Sequence, residues 1–193
     1  MTNRPTLWLV RHGETEWSRS GQYTGLTDLP LLPEGEAQAV DAGRTLAATG
    51  VEFDLVLSSP LQRAWRTAEL AGFADVERVP TAHEWDYGDY EGVASADVRA
   101  KDPSYRIWND GVPGGETLAQ VAARADGIVE RVRAELGEGG NAILFSHGHF
   151  SRVMVARWLG LPADTGRHFL LGTAKVSKLG WDKTTPAVEA WGL

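Results

Sequence analysis

The sequence predicts an α/β fold built on a parallel sheet, and three short apolar runs support this prediction. The runs at residues 7–10, 54–58 and 142–145 are largely continuous in their apolar character. This is typical of strands that are buried on both faces of a parallel sheet, because a half-exposed strand alternates apolar and polar residues. A polar turn and a helical pattern follow these runs, so that a layered architecture is expected. With 193 residues, the chain suits one domain over residues 1–193.

The other elements are predicted from periodicity and from glycine and proline positions. Residues 14–25 lack a helical or strand period and are expected to form a loop. The sequence indicates helices that begin near Pro33 and Pro60, a weaker strand at 76–80, two short helical pieces within 95–110, an amphipathic helix at 116–136, a helix at 150–159 and two final strands at 174–182 and 187–191.

Composition and charge exclude several classes of function. The net charge of −7 and the isoelectric point near 5.2 argue against nucleic acid or anionic membranes as partners, since both require a broad positive field. The absence of cysteine excludes disulfides, thiolate metal sites and cysteine nucleophiles. No apolar run approaches the length of a membrane span, and no signal segment precedes the first strand, which predicts a cytoplasmic protein. Both a monomer and a homodimer remain open.

Arginine and histidine follow the predicted strands. Arg11 and His12 follow the first strand, Arg63 lies in the first turn of the helix after the second, and His147 follows the strand at 142–145. Parallel strands end at one edge of a sheet, where α/β proteins bind ligands, so these four side chains are expected to meet there. Guanidinium groups bind phosphate oxygens in pairs, which favours a site for a tetrahedral oxyanion with histidine as the nucleophile.

Metal binding is the alternative interpretation of the same residues. His12, His147 and His149 are possible zinc or iron ligands. However, neighbouring arginines repel a cation, and neither a carboxylate nor a cysteine completes a ligand set. The sequence also lacks a P-loop and a Gly-x-Gly-x-x-Gly motif, so nucleotide binding through those motifs is unsupported.

Two further segments are candidates for the same site. Hydroxyl and backbone N–H groups of Ser18, Thr24 and Gly25 are expected to line a phosphate pocket, although solvated loop residues are the commoner interpretation of each alone. The segment 81–92 is rich in acidic and aromatic residues, and aromatic neighbours can desolvate a carboxyl group so that it stays protonated. This segment is therefore expected to supply a proton donor.

Four segments in this order closely resemble the histidine phosphatase superfamily, which includes cofactor-dependent phosphoglycerate mutases and broad phosphatases. They are residues 9–15, 58–64, 84–92 and 146–148, so that the resemblance covers nearly the whole chain. It implies a three-layer α/β/α sandwich on a mostly parallel six-stranded sheet with one antiparallel strand. It also implies a metal-independent phosphomonoesterase that needs no cofactor and acts on small phosphorylated metabolites, with broad specificity and an acidic pH optimum.

The resemblance also implies roles for individual residues. His12 would be the nucleophile that becomes phosphohistidine. Arg11, Arg63 and His147 would hold the phosphoryl oxygens, and Glu84 would be the general acid. The implied substrate contacts are Ser18, Thr24, Gly25, Tyr87 and Gly148.

Within that family, the sequence favours a phosphatase over a mutase or a non-catalytic phospholigand-binding module. The presence of His12 and Glu84 together favours an enzyme. In the mutase pattern an arginine follows the catalytic glutamate and an arginine pair lies further on, whereas here Trp85 and Trp108-Asn109 stand at those places. Residues 85–115 contain more acidic than basic side chains, so a doubly anionic substrate is expected to fit poorly. The chain is also expected to be shorter than such mutases.

Overall fold

A computed structural model describes residues 4–137 and 139–193 of the protein, and a six-stranded sheet lies at its centre. The strands are β1 (Thr6–Arg11), β2 (Leu55–Ser58), β3 (Glu77–Arg78), β4 (Asn141–Ser146), β5 (Val176–Asp182) and β6 (Thr185–Ala190). Their order across the sheet is β3-β2-β4-β1-β5-β6. The first four in this order are parallel, and β5 runs antiparallel to both β1 and β6. The predicted mostly parallel sheet with one antiparallel strand is therefore confirmed.

Helices connect the parallel strands and cover both faces of the sheet. Their bounds are α1 (Glu16–Ser20), α2 (Pro33–Ala48), α3 (Gln62–Leu70), α4 (Ser95–Lys101), α5 (Ile107–Asp110), α6 (Leu118–Leu136) and α7 (Gly148–Trp158). Short 3₁₀ turns occur at Pro80–Ala82, Gly88–Tyr90 and Ala163–His168. None of the described helices is both long and apolar enough to cross a membrane.

The central strand β1 contributes to two separate cores. Leu7 and Leu9 pack with side chains of α6 and α7, whereas Trp8 and Val10 pack with side chains of α2 and α3. Successive strand residues point to opposite faces, so an uninterrupted apolar run is what a strand between two helical layers requires. The predicted three-layer arrangement is thereby confirmed.

One predicted loop contains a helix. Residues 14–25 lack apolar periodicity, yet Glu16–Ser20 form the five-residue helix α1. The Thr15 hydroxyl accepts from the Ser18 N–H, and the Ser18 hydroxyl accepts from the Thr15 N–H, which completes a capping box. Because α1 contains no buried residue, local capping rather than an apolar face stabilises it. A prediction based on apolar periodicity misses such a helix.

Candidate active site

The parallel strands place the candidate residues along one edge of the sheet. In the register, Arg11 of β1 lies beside Ser146 of β4, and Ser58 of β2 lies beside Phe145. The chain therefore leaves the sheet at His12, Ser59 and His147 at nearly the same level. The His12 N–H donates to the Ser146 carbonyl at 2.9 Å, which extends the ladder by one residue.

The turn after β1 depends on a close backbone approach. A Cβ on Gly13 would lie 2.2 Å from the Gly35 carbonyl oxygen, and a Cβ on Gly35 would lie 2.1 Å from the Glu14 carbonyl oxygen. Side chains at these two positions would force the first turn of α2 away from the end of β1. The Gly13 N–H donates to the Thr67 hydroxyl at 3.0 Å, which also attaches this turn to α3.

His12 is held in one orientation and one tautomer. Its Nδ1 lies 2.7 Å from the Gly13 carbonyl oxygen, which can only accept a hydrogen bond, so Nδ1 carries the proton. Nε2 then keeps its lone pair in the neutral ring. Burial lowers the pKa of His12 well below its ordinary value, and the charges of Arg63 and Arg11 lower it further. The neutral, nucleophilic ring is therefore the favoured form.

Three buried side-chain nitrogens around His12 have no partner within the described protein. They are Nε of Arg11, Nε of Arg63 and Nδ1 of His147. The other nitrogen of His147, Nε2, lies 2.7 Å from the Ser59 hydroxyl, and the ring centroids of His12 and His147 are 5.3 Å apart. An unpaired buried polar group costs about 1–3 kcal/mol, so three such groups at one place indicate a site for an anionic acceptor.

The two arginines of the candidate site are otherwise held in place by backbone carbonyl groups. Arg11 donates from Nη1 to the Leu171 carbonyl at 2.7 Å. Arg63 donates from Nη1 and Nη2 to three carbonyls of the segment after α1, those of Thr24, Gly25 and Thr27. These bonds orient both guanidinium groups without neutralising their charge, which leaves the charge available to an anion.

The carboxylate of Glu84 lies at the N-terminus of α7. Oε1 accepts from the N–H groups of Trp85 and Phe150, and Oε2 accepts from the N–H of His149. The first turn of this helix has no cap from its own His147 side chain, so Glu84 performs that task from a distant part of the chain. Since Oε1 has both acceptor positions occupied, Oε2 is the oxygen with a free position for a proton.

A cavity of about 380 Å³ opens onto these groups. Of the predicted site residues, its lining includes Arg11, His12, Ser18, Thr24, Glu84, Tyr87 and Gly148. Arg63 and His147 are fully buried behind His12 and are not part of the lining. These residues therefore lie together at one edge of the sheet, as predicted, and Arg63 and His147 lie beneath the cavity lining.

Gly25 differs from its expected position. Its N–H donates to the carboxylate of Glu91 at 2.9 Å, and a Cβ there would lie 2.7 Å from the Trp85 carbonyl oxygen. Gly25 is therefore enclosed between residues 85 and 91 and does not line the cavity. The prediction that its N–H contacts phosphate does not fit this geometry, because a carboxylate already occupies the donor.

The aromatic residues proposed as a substrate surface divide into two groups. Tyr87 and Trp108 line the cavity, and the Tyr87 hydroxyl lies 2.6 Å from Nδ1 of His149. Trp85 is fully buried with its ring edge-on to that of Trp108, and Tyr90 packs against the core. Trp85 therefore belongs to the core, Tyr90 packs against it, and neither residue lines the cavity.

Sequence reasoning missed other residues that shape the site. Ser59 supports His147, Thr67 joins Gly13 to α3, and Arg152 of α7 lines the cavity. The position of Ser59 directly after a strand was a usable signal for its role. Arg152 gave no such signal, because a helical arginine five residues after a histidine is ordinarily solvated.

Burial affects the charge of three neighbouring histidines. It lowers the pKa values of His12 and His147 well below 6.5 and that of His149 to about 3. Between these values and pH 6.5 the unfolded chain binds protons that the folded protein does not, so stability is present above pH 6.5 and is lost as the pH falls.

We therefore expect the free energy of unfolding to decrease as the pH falls from 6.5 toward 4, as measured by chemical denaturation. His149→Asn should make this dependence shallower, by up to about 1.4 kcal/mol per pH unit. Equal slopes in wild type and His149→Asn would contradict this account.

Among residues 4–137 and 139–193, no group of three or more histidine, aspartate or glutamate side chains is arranged to hold a metal ion. Taken together, the fold and the site define an α/β protein with a buried histidine surrounded by oriented arginines at the carboxyl edge of its sheet.

Comparison with known proteins places this arrangement in a family. The model of the histidine phosphatase superfamily (branch 1) matches residues 7–193, and the chain belongs to this superfamily. An acid phosphatase of Mycobacterium tuberculosis is 38% identical, with 97% of this chain and 92% of that protein aligned. A solved structure of an M. tuberculosis open reading frame, also 38% identical, superposes with a TM-score of 0.91 over 97% of each chain. The protein is accordingly a histidine phosphatase with the expected fold.

Mutases of this family are also similar to the chain. A 2,3-bisphosphoglycerate-dependent phosphoglycerate mutase of Mesorhizobium japonicum is 30% identical, with 95% of this chain and 97% of the mutase aligned. The two sequences therefore align over almost the full length of each chain. Similarity to known sequences alone therefore does not distinguish a phosphatase from a mutase.

Proposed function

We propose that the protein hydrolyses small phosphate monoesters through a phosphohistidine at His12. The observation that supports this most directly is the set of three unpartnered nitrogens around His12, from Arg11, Arg63 and His147. Nδ1 of His147 is a donor in the tautomer in which Nε2 accepts from the Ser59 hydroxyl. A phosphoryl group is a tetrahedral oxyanion that can accept from all three, and buried donors strengthen as charge develops on its oxygens. The cavity volume of about 380 Å³ suits a small metabolite. A cytoplasmic location remains a prediction from the sequence.

In the first step, Nε2 of His12 attacks phosphorus and the bond from phosphorus to the ester oxygen breaks. The Gly13 carbonyl keeps Nδ1 protonated, so that the forming N–P bond uses the lone pair of Nε2. Arg11, Arg63 and His147 stabilise the negative charge on the transferred group. Phosphoryl transfer depends mainly on such positioning and charge stabilisation.

Glu84 is proposed to manage the protons of both steps. Glu84 lines the cavity, and its Oε2, which accepts one N–H, would donate a proton to the leaving alkoxide. The resulting carboxylate would take a proton from water as that water attacks phosphohistidine, which regenerates His12 and releases inorganic phosphate. One residue thus serves as acid and then as base.

Metal independence is a prediction of this mechanism. Arginines provide the charge that metal-dependent phosphatases obtain from cations, so exhaustive treatment with EDTA should leave phosphate release from a panel of phosphorylated metabolites unchanged. Phosphate release would be measured before and after chelation, with Mg²⁺ or Zn²⁺ added back. A loss of activity that a divalent ion restores would contradict the mechanism.

Phosphoglycerate mutase activity is the second candidate, since a mutase is among the similar proteins. It would be tested by incubating the protein with 3-phosphoglycerate and catalytic 2,3-bisphosphoglycerate. We expect hydrolysis of monoesters to be faster than isomerisation. Isomerisation much faster than the hydrolysis of any monoester would overturn the assignment as a hydrolase.

A further inference from the structure

We propose that Arg152, with Arg99 and Arg106, forms a subsite for a second anionic group on the substrate, a carboxylate or a phosphate remote from the phosphoryl group that is transferred. This inference rests on the proposed function and adds the class of substrate to it. The three arginines lie on α7, on α4 and just before α5, whereas the transferred group is assigned to Arg11, Arg63 and His147.

The lining of the cavity carries an excess of positive charge. Four arginines line the cavity, namely Arg11, Arg99, Arg106 and Arg152, and Glu84 is the only acidic residue in the lining. The chain as a whole has a net charge of −7, so this concentration of positive charge is opposite to the average of the molecule. A cleft lined by one sign of charge attracts ligands of the other sign.

The arginines that line the cavity differ from the other arginines of the protein in their ion pairs. None of these four arginines pairs with a carboxylate within the described residues. By contrast, arginines away from the cavity commonly do so, among them Arg19, Arg44, Arg66, Arg124, Arg131, Arg157 and Arg167. The unpaired positive charge is therefore gathered where the substrate enters.

Arg152 is the best positioned of the three. Nε donates to the Gly166 carbonyl at 3.2 Å, Nη2 donates to the Arg167 carbonyl at 2.8 Å, and the guanidinium carbon lies 4.8 Å from the ring centroid of Trp108. The side chain is only partly exposed, and burial lowers its pKa. A fixed, partly desolvated cation without a counter-ion is stabilised when an anion binds beside it.

The acidic residues of the segment 85–115 lie outside the cavity lining, although Asp102 and Asp110 are close to Arg106. The carboxylate of Asp86 accepts from the Gly88 N–H, that of Asp110 accepts from the Arg106 N–H, and that of Glu91 holds the segment at 25–27. None of the acidic residues in this segment lines the cavity. The expectation that a doubly anionic substrate fits poorly counted charges along the chain, whereas the subsite proposed here rests on the residues that line the cavity, and the two make opposite predictions.

The test compares substrates that differ only in the second group. Glycerol 3-phosphate and 3-phosphoglycerate share a three-carbon chain and differ in a hydroxymethyl group against a carboxylate. The monophosphate and bisphosphate of 1,3-propanediol provide the arm for a second phosphate. We expect kcat/KM to favour the doubly anionic member by about tenfold or more, as a partly buried charge-assisted contact provides. The preferred arm identifies the second group as carboxylate or phosphate.

Variants then show which arginine is responsible for the preference for the doubly anionic substrate. Arg152→Gln should bring the ratio of kcat/KM values close to one, and Arg152→Lys, which keeps the charge, should retain part of it. Arg106→Gln, at an exposed position, gives an independent variant if Arg152→Gln does not fold. Arg44→Gln is the matched control, because Arg44 is exposed, pairs with Asp41 on α2 and lies outside the cavity lining. It should keep the wild-type ratio.

A ratio near one in the wild type, or one unchanged in Arg152→Gln and Arg106→Gln, would overturn the subsite. An equal loss on both members of a pair would also overturn it, since Arg152 would then serve the transferred phosphoryl group. Calorimetric binding of the same pairs to His12→Ala separates this question from catalysis. If the wild type releases phosphate from no ester, the proposed function fails, while the ratio of dissociation constants still decides the subsite.

Discussion

Replacing His12 with alanine should reduce phosphate release to the background rate. Loss of a covalent nucleophile costs on the order of 10⁶ in turnover in well-studied hydrolases, because no other group can form the intermediate. The fold should persist, since the side chain of His12 makes one hydrogen bond, to the carbonyl of its neighbour Gly13. Steady-state release of phosphate and thermal unfolding of the same preparation would measure both effects.

Trapping of the covalent intermediate identifies the residue that accepts the phosphoryl group. In the wild type, rapid quenching during turnover of a ³²P-labelled ester should yield a phosphoenzyme that is labile to acid and stable to alkali, and His12→Ala should yield none. His168→Ala, which alters an exposed histidine outside the cavity, should give the wild-type amount. Label on any residue other than His12 would contradict the assignment of the nucleophile.

The central part of the fold was predictable from the sequence because its signals are strong. The uninterrupted apolar run of β1 indicates burial on both faces, and the long amphipathic stripe of α6 indicates one buried face. At the edges of the sheet these signals weaken. The strand predicted at 76–80 is reduced to the exposed pair Glu77–Arg78, because Pro80 begins a 3₁₀ turn and lacks the N–H that would continue the ladder.

The site was predictable where strand ends determine it and unpredictable where side chains converge from distant loops. His12 and His147 follow parallel strands, so the register of β1 and β4 brings them together. By contrast, the contact between Glu91 and the Gly25 N–H joins positions 66 residues apart and depends on the path of two irregular segments. The same holds for Arg152, whose exposure to the cavity depends on how α7 packs.

Replacing Glu84 with glutamine should lower turnover of alkyl phosphates by about 10²–10⁴, the usual contribution of a general acid. Alkoxides leave poorly without a proton, whereas nitrophenolate needs little assistance, so the loss on nitrophenyl phosphate should be smaller. The quantity to measure is kcat/KM on the two esters, in wild type and variant, because it reports the transfer to His12 and excludes the later attack of water that both esters share. The expected result is a loss that depends on the leaving group.

Glu84 also stabilises the first turn of α7, and the experiment must separate this structural effect from proton transfer. Its carboxylate caps α7, and a glutamine can keep the two bonds that Oε1 accepts but places an amide group against the His149 N–H. We expect that change to cost about 1–3 kcal/mol of stability.

Glu116→Gln is the matched control, since Glu116 accepts from a backbone N–H, that of Asp86, pairs with Arg124 and lies outside the cavity lining. It should lower the unfolding temperature without changing the ratio of the two kcat/KM values. If Glu84→Gln lowered kcat/KM on both esters equally, Glu84 would not protonate the leaving group, and that proton would have to come from another group.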